Sequence, residues 1–218
     1  MVDAAKPTEA MTWTCIITGV DPVTAFVLAG GKSSRMGEDK AFLQLGSRTL
    51  LDHALELARA AGRRAWIVGS SGRFAAFGPV VEDVFADRGP LGGIHAALTQ
   101  TVTDLNLMLA VDLPFLHLRF LNYLIAEARK SAAVVVVPKV GEYLQPLCAV
   151  YRRSFARVAE QSLRAGRNKI DGLFPEVPTR VIGQEELRQS GFAEEMFRNL
   201  NTQQDWEDAR MRFAGKLG

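Results

Sequence analysis

Val23-Thr24-Ala25-Phe26-Val27-Leu28-Ala29 runs directly into Gly30-Gly31-Lys32-Ser33-Ser34-Arg35-Met36-Gly37-Glu38-Asp39-Lys40, and this junction decides how the rest of the chain is read. The first stretch is apolar almost throughout. A strand with one wet face alternates polar and apolar residues, so a continuous apolar run reads as a strand buried on both faces. The glycine pair that ends it lets main-chain N–H groups approach an anion with no Cβ in the way. Arg35 and Lys40 then add positive charge within reach of phosphate oxygens.

Outward from this junction, strand-like and helix-like segments alternate. Leu50, Leu51, Ala54, Leu55, Ala58 and Ala61 repeat at helical spacing between an N-cap at Thr49 and a stop at Gly62. Strands are expected at 65–68, 80–84, 105–111, 134–137 and 145–151. Helices are expected at 92–101, 119–130, 154–165 and 203–213, the last opened by a capping-box-like Thr202-Gln203-Gln204-Asp205. Residues 166–178 read as irregular with a short helix. Strands separated by helices of this length predict an α/β fold: a three-layer, Rossmann-like arrangement with a mostly parallel central sheet and helices on both faces. Residues 1–20 read as a flexible tail and 21–218 as a single domain.

Composition narrows the function. The 218 residues are 48% apolar and 23% charged, and 26 Lys+Arg against 24 Asp+Glu leave a net charge of +2. That balance excludes a general nucleic-acid binder. The longest apolar stretches fall short of the ~20 residues that span a bilayer, so no membrane association is expected. Cys15 and Cys148 form no CxxC pair, which fits a reducing, cytoplasmic compartment. The three histidines show no HxxxH spacing and are read as structural, and Trp66, Phe115 and Phe120 are read as core.

In an open α/β sheet, ligands lie beyond the carboxyl ends of the strands. After the first strand comes the glycine turn with Arg35 and Lys40. After the third come Glu82-Asp83 and then Gly89-Pro90-Leu91-Gly92-Gly93, and the strand at 105–111 stops at Asp112-Leu113-Pro114. Glycines, cations and carboxylates therefore gather at one sheet edge. An aspartate there suits Mg²⁺, which takes carboxylate and phosphate oxygens together with waters. The set describes a site for a nucleoside triphosphate with Mg²⁺. Two familiar phosphate motifs are excluded: a GxxxxGK[ST] loop needs glycine where Phe26 stands, and GxGxxG needs it at Lys32.

The string LAGGKSSRMGEDK (28–40) resembles the opening motif of the molybdenum cofactor guanylyltransferases, within the wider nucleotidyltransferases on a Rossmann-like fold. The likeness continues through LLDHALELA (50–58), VVED (80–83), GPLGG (89–93), AVDLPF (110–115), QPLCAVYRR (145–153) and FRNLNTQQDW (197–206). The resemblance implies transfer of GMP from GTP to the molybdopterin cofactor, in an N-terminal GTP-binding half reaching to about 138 and a C-terminal acceptor half. It implies that Leu28, Ala29, Gly30 and Gly31 contact the nucleotide, that Lys40 binds phosphate, and that Gly69 and Asp83 lie by the nucleoside. Asp112 would hold Mg²⁺ and the triphosphate, with Arg35, Lys40 and Asp112 carrying catalysis. Gln145 and Asn201 would lie on the acceptor or metal side, and Arg164, Arg167 and Lys169 would offer cations to the acceptor's phosphate. Transient contact with molybdoenzymes or other cofactor-biosynthesis proteins belongs to the same expectation. Gly31 and Asp39-Lys40 favour GTP over CTP on this resemblance. Three departures stand out: Gly92 for the more usual alanine, expected to widen a turn; Gln203 for proline; and Gly69 for an asparagine, whose polar contact would either be lost or fall to Ser70. A cytidylyl- or sugar-1-phosphate transferase and a non-catalytic GTP-binding module remain as alternatives.

Overall fold

The computed structural model describes residues 22–30, 39–85 and 87–214. In chain order they form β1 (Val23–Leu28), the hairpin β2 (Gln44–Leu45) and β3 (Arg48–Thr49), α1 (Leu50–Ala61), β4 (Arg64–Val68), α2 (Ser71–Phe74), β5 (Val80–Val81) and α3 (Pro90–Gln100). These are followed by β6 (Leu105–Ala110), α4 (Leu118–Lys130), β7 (Val135–Val140), β8 (Tyr143–Leu144), β9 (Cys148–Arg152), α5 (Phe155–Arg164), β10 (Thr179–Ile182), α6 (Gln184–Gln189) and α7 (Gln203–Ala214). Short 3-10 helices stand at Lys40–Phe42, Asp171–Glu176 and Glu194–Phe197.

The main sheet has the order β10-β7-β9-β6-β1-β4-β5, with β8 paired to β7. Along that order every pairing is parallel except the two made by β9, which runs antiparallel to both β6 and β7. β1 and β6 are buried at every residue, as continuous apolar runs require. Their side chains divide by the strand period of two. Val23, Ala25 and Val27 join Leu105, Leu107 and Leu109 in the core beneath α1 and α4, whereas Phe26, Leu28 and Met108 face α3 and α5. The polar exceptions, Thr24 and Asn106, satisfy each other's neighbourhood through Thr103. Its hydroxyl bonds Thr24 Oγ1 (2.8 Å) and Asn106 Oδ1 (3.0 Å), while the Asn106 amide donates to the Thr103 and Asp104 carbonyls.

From β1 the chain passes through α1 to β4 on one side, then through β5 and α3 to β6 on the other. The carboxyl ends of β1 and β6 are thus adjacent while their connections diverge, which is the switch point where open α/β sheets bind ligands. Just past the strands, Val111 N–H donates to the Leu28 carbonyl (3.2 Å), so the two chain ends leave the sheet side by side.

Four expectations need correction. β5 ends at Val81 rather than Val84, because Glu82 and Asp83 turn out of the sheet and Val84 is exposed. The strand expected at 145–151 begins only at Cys148 and runs antiparallel. Gly92 lies within α3 rather than in a turn; the turn is at Gly89, whose φ of 65° suits glycine. Of the three aromatic residues read as core, Phe120 is fully buried, whereas Trp66 and Phe115 are only partly so.

Candidate functional site

Lys40 opens the first 3-10 turn, and its ammonium reaches across the switch point. It donates to Asn201 Oδ1 at 2.9 Å and lies 3.5 Å from Asp112 Oδ2. These three residues are far apart in sequence and are brought together only by the fold. Asp112 is placed by β6, which carries it past the sheet edge, and its carbonyl accepts the Leu200 N–H (3.2 Å). The same residue therefore holds the returning C-terminal segment with its main chain and faces Lys40 with its side chain. Burial raises the Asp112 carboxyl above the usual aspartate range, and the Lys40 ammonium pulls it partly back. With side chains 16% and 19% exposed, Lys40 and Asp112 are sheltered yet reachable.

Asn201 is fixed by the start of α7. Asp205 Oδ2 accepts the N–H groups of Asn201 (3.2 Å) and Thr202 (3.0 Å) and the Thr202 hydroxyl (2.7 Å), and Thr202 Oγ1 accepts the Asp205 N–H (3.1 Å). This is the capping box expected from the sequence. The Thr202 hydroxyl, foremost, holds the Asp205 carboxyl below its usual range.

The residues expected on the nucleoside side ring the ends of β1, β4 and β5. Ala29 and Gly30 both donate their N–H groups to the Val68 carbonyl (3.0 Å each). The anion-binding reading of the Gly30 N–H is therefore corrected: β4 already uses that donor, and any ligand contact there falls to other main-chain atoms. Gly30 and Gly69 pack main chain on main chain, a Cβ on Gly30 lying 3.5 Å from Gly69 Cα. At Gly69 a Cβ would stand 2.8 Å from the buried Phe74 ring, which explains physically why this chain has no asparagine there. The neighbouring Ser70 makes no capping bond to α2, so its hydroxyl is not committed to the helix. Asp83 rests against the start of α3: Cβ atoms on Gly92 and Gly93 would lie 3.5 and 3.4 Å from its carboxylate oxygens. The double glycine gives that carboxylate room, and its partial burial raises its carboxyl above the usual range.

Gln145 sits near the same edge on the β9 side. Its N–H donates to the Pro138 carbonyl (2.9 Å), and its carbonyl accepts the Cys148 N–H (3.0 Å). Two of the three cations offered to an acceptor phosphate are engaged elsewhere, Arg164 with Glu160 (2.6 Å) and Arg167 with Glu176 (3.0 Å), while Lys169 is exposed. Gly31 and Arg35 lie outside the described residues. Sequence reasoning missed Arg73 on α2, which ion-pairs with Asp39; a four-residue helix leaves no periodic signal.

The oxygens of Asp112 and Asn201 already share one cation, the Lys40 ammonium. A carboxylate and an amide oxygen are hard donors that suit a divalent cation completed by phosphate oxygens and water. Among the described residues no cluster of three or more His, Cys, Asp or Glu could hold a metal by itself, which does not suit a closed zinc site. Cys148 is buried, and burial pushes its thiol well above the usual range, so it is no nucleophile.

Residues 25–176 match the family model described as the MobA-like NTP transferase domain. The chain is 34% identical over 194 residues to a molybdenum cofactor guanylyltransferase of Syntrophotalea carbinolica, covering 88% of this chain and 92% of the relative. It is 35% identical to a probable molybdenum cofactor guanylyltransferase of Carboxydothermus hydrogenoformans, covering 85% and 93%. Among solved structures, molybdopterin-guanine dinucleotide biosynthesis protein A of Archaeoglobus fulgidus superposes with a TM-score of 0.77 at 26% identity, over 88% of this chain and 98% of that one.

Proposed function

This chain belongs to the MobA-like NTP transferase domain family, and we infer that it transfers GMP from GTP to the terminal phosphate of the molybdopterin form of the molybdenum cofactor, releasing pyrophosphate. One observation carries this reading: Lys40 and Asp112, from separate ends of a βαβ layout, meet at the sheet's switch point with Asn201 beside them. The relatives named above as guanylyltransferases support the choice of GTP and cofactor as substrates.

An acceptor phosphate oxygen attacks the α-phosphorus, a new P–O–P bond forms, and the bond to the bridging oxygen of the β-phosphate breaks with its electrons leaving on pyrophosphate. The acceptor is already anionic near neutral pH, so no side chain has to remove a proton. The protein's task is then position and charge. Lys40 neutralises phosphate oxygens. Gly30, Gly69 and Asp83 hold the nucleoside end against β1, β4 and the start of α3, and the phosphate role expected of Arg35, which lies outside the described residues, belongs to the same proposal. Asp112 and Asn201 are the residues that would hold Mg²⁺, which when bound supplies positive charge to the phosphate oxygens. The GTP half is assigned to the chain up to about 138, and the acceptor, near Gln145, to the remainder. No helix among the described residues is long and apolar enough to cross a membrane. Cytoplasmic location and passing contact with molybdoenzymes belong to the same reading.

The test is pyrophosphate release by the purified chain given the molybdopterin cofactor and each nucleoside triphosphate in turn, with Mg²⁺. Release with GTP is expected. Release with CTP instead would make the chain a cytidylyltransferase. Stabilisation by GTP, ~2.7 kcal/mol at a hundredfold excess over Kd, without any release would make it a binding module.

A further inference from the structure

The ammonium of Lys40 is only as well placed as the main chain beneath it, since a lysine side chain is a flexible stem with a compact charge. That main chain is a single 3-10 turn, Lys40–Phe42, too short to be stable by its own hydrogen bonds. Two of its bonds are internal, Phe42 N–H to the Asp39 carbonyl (3.0 Å) and Leu43 N–H to the Lys40 carbonyl (3.1 Å). Its start is held by the Asp39 side chain, whose Oδ1 accepts the Ala41 N–H at 3.1 Å.

The second oxygen of that carboxylate ion-pairs with Arg73, delivered from α2, the short helix after β4. The guanidinium lies over the Phe74 ring, 5.0 Å from its centroid, and Phe74 is fully buried against Gly69. α2 is anchored a second time where Glu82 Oε1 accepts the Ser71 N–H (2.6 Å). A continuous path therefore leads from the floor under Gly69, through Phe74, Arg73 and Asp39, to Lys40.

We propose that Arg73 is a positioning residue for the reaction: by clasping Asp39 it fixes the turn that presents Lys40 to the phosphates. The two oxygens of Asp39 divide the work, one capping the turn and one tying it to α2. The resemblance connected Asp39 with the choice of base; on this geometry it serves the placement of Lys40. The kinetic half of the proposal rests on the function inferred above.

Arg73→Gln, Asp39→Asn and their double variant test it, with Arg73→Lys as the conservative rescue. Asparagine keeps an oxygen for the Ala41 N–H but loses the charge. Each single variant is expected to lower kcat for guanylyl transfer about ten- to a hundredfold while KM for GTP changes by less than about twofold. The double variant is expected to be no worse than either single, since both remove one interaction, and Arg73→Lys to recover most of the rate. A raised KM with unchanged kcat, or losses that multiply, would overturn the proposal. Independently of any turnover, amide hydrogen exchange at Ala41–Leu43 in the free protein should quicken in Arg73→Gln and Asp39→Asn while α4 exchanges as before. Unchanged exchange at the turn sinks the proposal. Absence of pyrophosphate release by the unsubstituted chain sinks only the functional reading.

Discussion

The sheet half containing β1, β4, β5 and β6 and the half containing β7, β9 and β10 deliver their polar residues by different means. In the first, neighbouring strands are parallel, so each strand's carboxyl end points to one edge and the residue after it arrives at the site by default. Gly69, Asp83 and Asp112 reach the edge this way, whereas Lys40, well beyond the end of β1, is presented there by its own 3-10 turn. In the second, β9 reverses direction, and its carboxyl end points away. What this half contributes must be carried back: Gln145 by the turn that precedes β9, and Asn201 by a segment hung on the Asp112 carbonyl and stopped by the cap of α7. Lys40 apart, the first half thus places chemistry by topology and the second by individual hydrogen bonds.

If that contrast holds, the largest losses come from the first half. Lys40→Ala and Asp112→Ala should each reduce kcat ~10²–10³-fold, roughly 3–4 kcal/mol, with circular dichroism unchanged; steady-state rates decide it. Asn201→Ala removes a hydrogen-bond acceptor of a charged group, an exposed contact worth the low end of about 1.5–3 kcal/mol, and should cost roughly tenfold in the same assay. A loss as large as that of Asp112→Ala would place the two halves on an equal footing. Gly69→Ala drives a methyl into Phe74 and should destabilise the chain by about 1–3 kcal/mol, read as a lower midpoint in urea. Smaller still, Thr202→Ala breaks the cap of α7 and should cost about 1 kcal/mol, or roughly 2–4 °C in Tm.

The pH dependence sharpens the same comparison. Burial raises Asp112's carboxyl, so the folded chain binds this proton more tightly than the unfolded one. Its contribution to stability is therefore most favourable in acid and declines as pH rises through the raised folded value. Turnover has the opposite sense, because a protonated Asp112 cannot hold a cation. Asp112→Asn should lose turnover and, in the metal-free chain, gain stability relative to the unsubstituted chain as pH rises from acid to neutral.

Legibility in the sequence follows the same division. β1 and β6 announced themselves as apolar runs, and α1 as a periodic helix capped at Thr49, where the structure adds a reciprocal bond to Asp52. From their ends, the sequence alone assigns Lys40 and Asp112 to one edge. β10 and α6 went unread because four- and six-residue elements carry too few repeats of either period. Asn201 was reached through resemblance alone, since nothing in Leu200-Asn201-Thr202 states which strand end it will meet. Arg73 was not reached at all, because an ion pair between a short helix and a loop leaves no trace in spacing. The commitment of the Ala29 and Gly30 N–H groups to Val68 was equally hidden: glycine signals access, and only the register with β4 tells which atoms use it.

The central claim is that Lys40, Asp112 and Asn201 grip the triphosphate of a metal-bound GTP at the β1–β6 switch point. A crystal structure of the chain with a non-hydrolysable GTP analogue and Mg²⁺ tests it most directly. The account predicts phosphate oxygens on Lys40 Nζ and the metal on the Asp112 carboxylate. A triphosphate bound away from this edge, with the Lys40–Asp112 pair undisturbed, would contradict it.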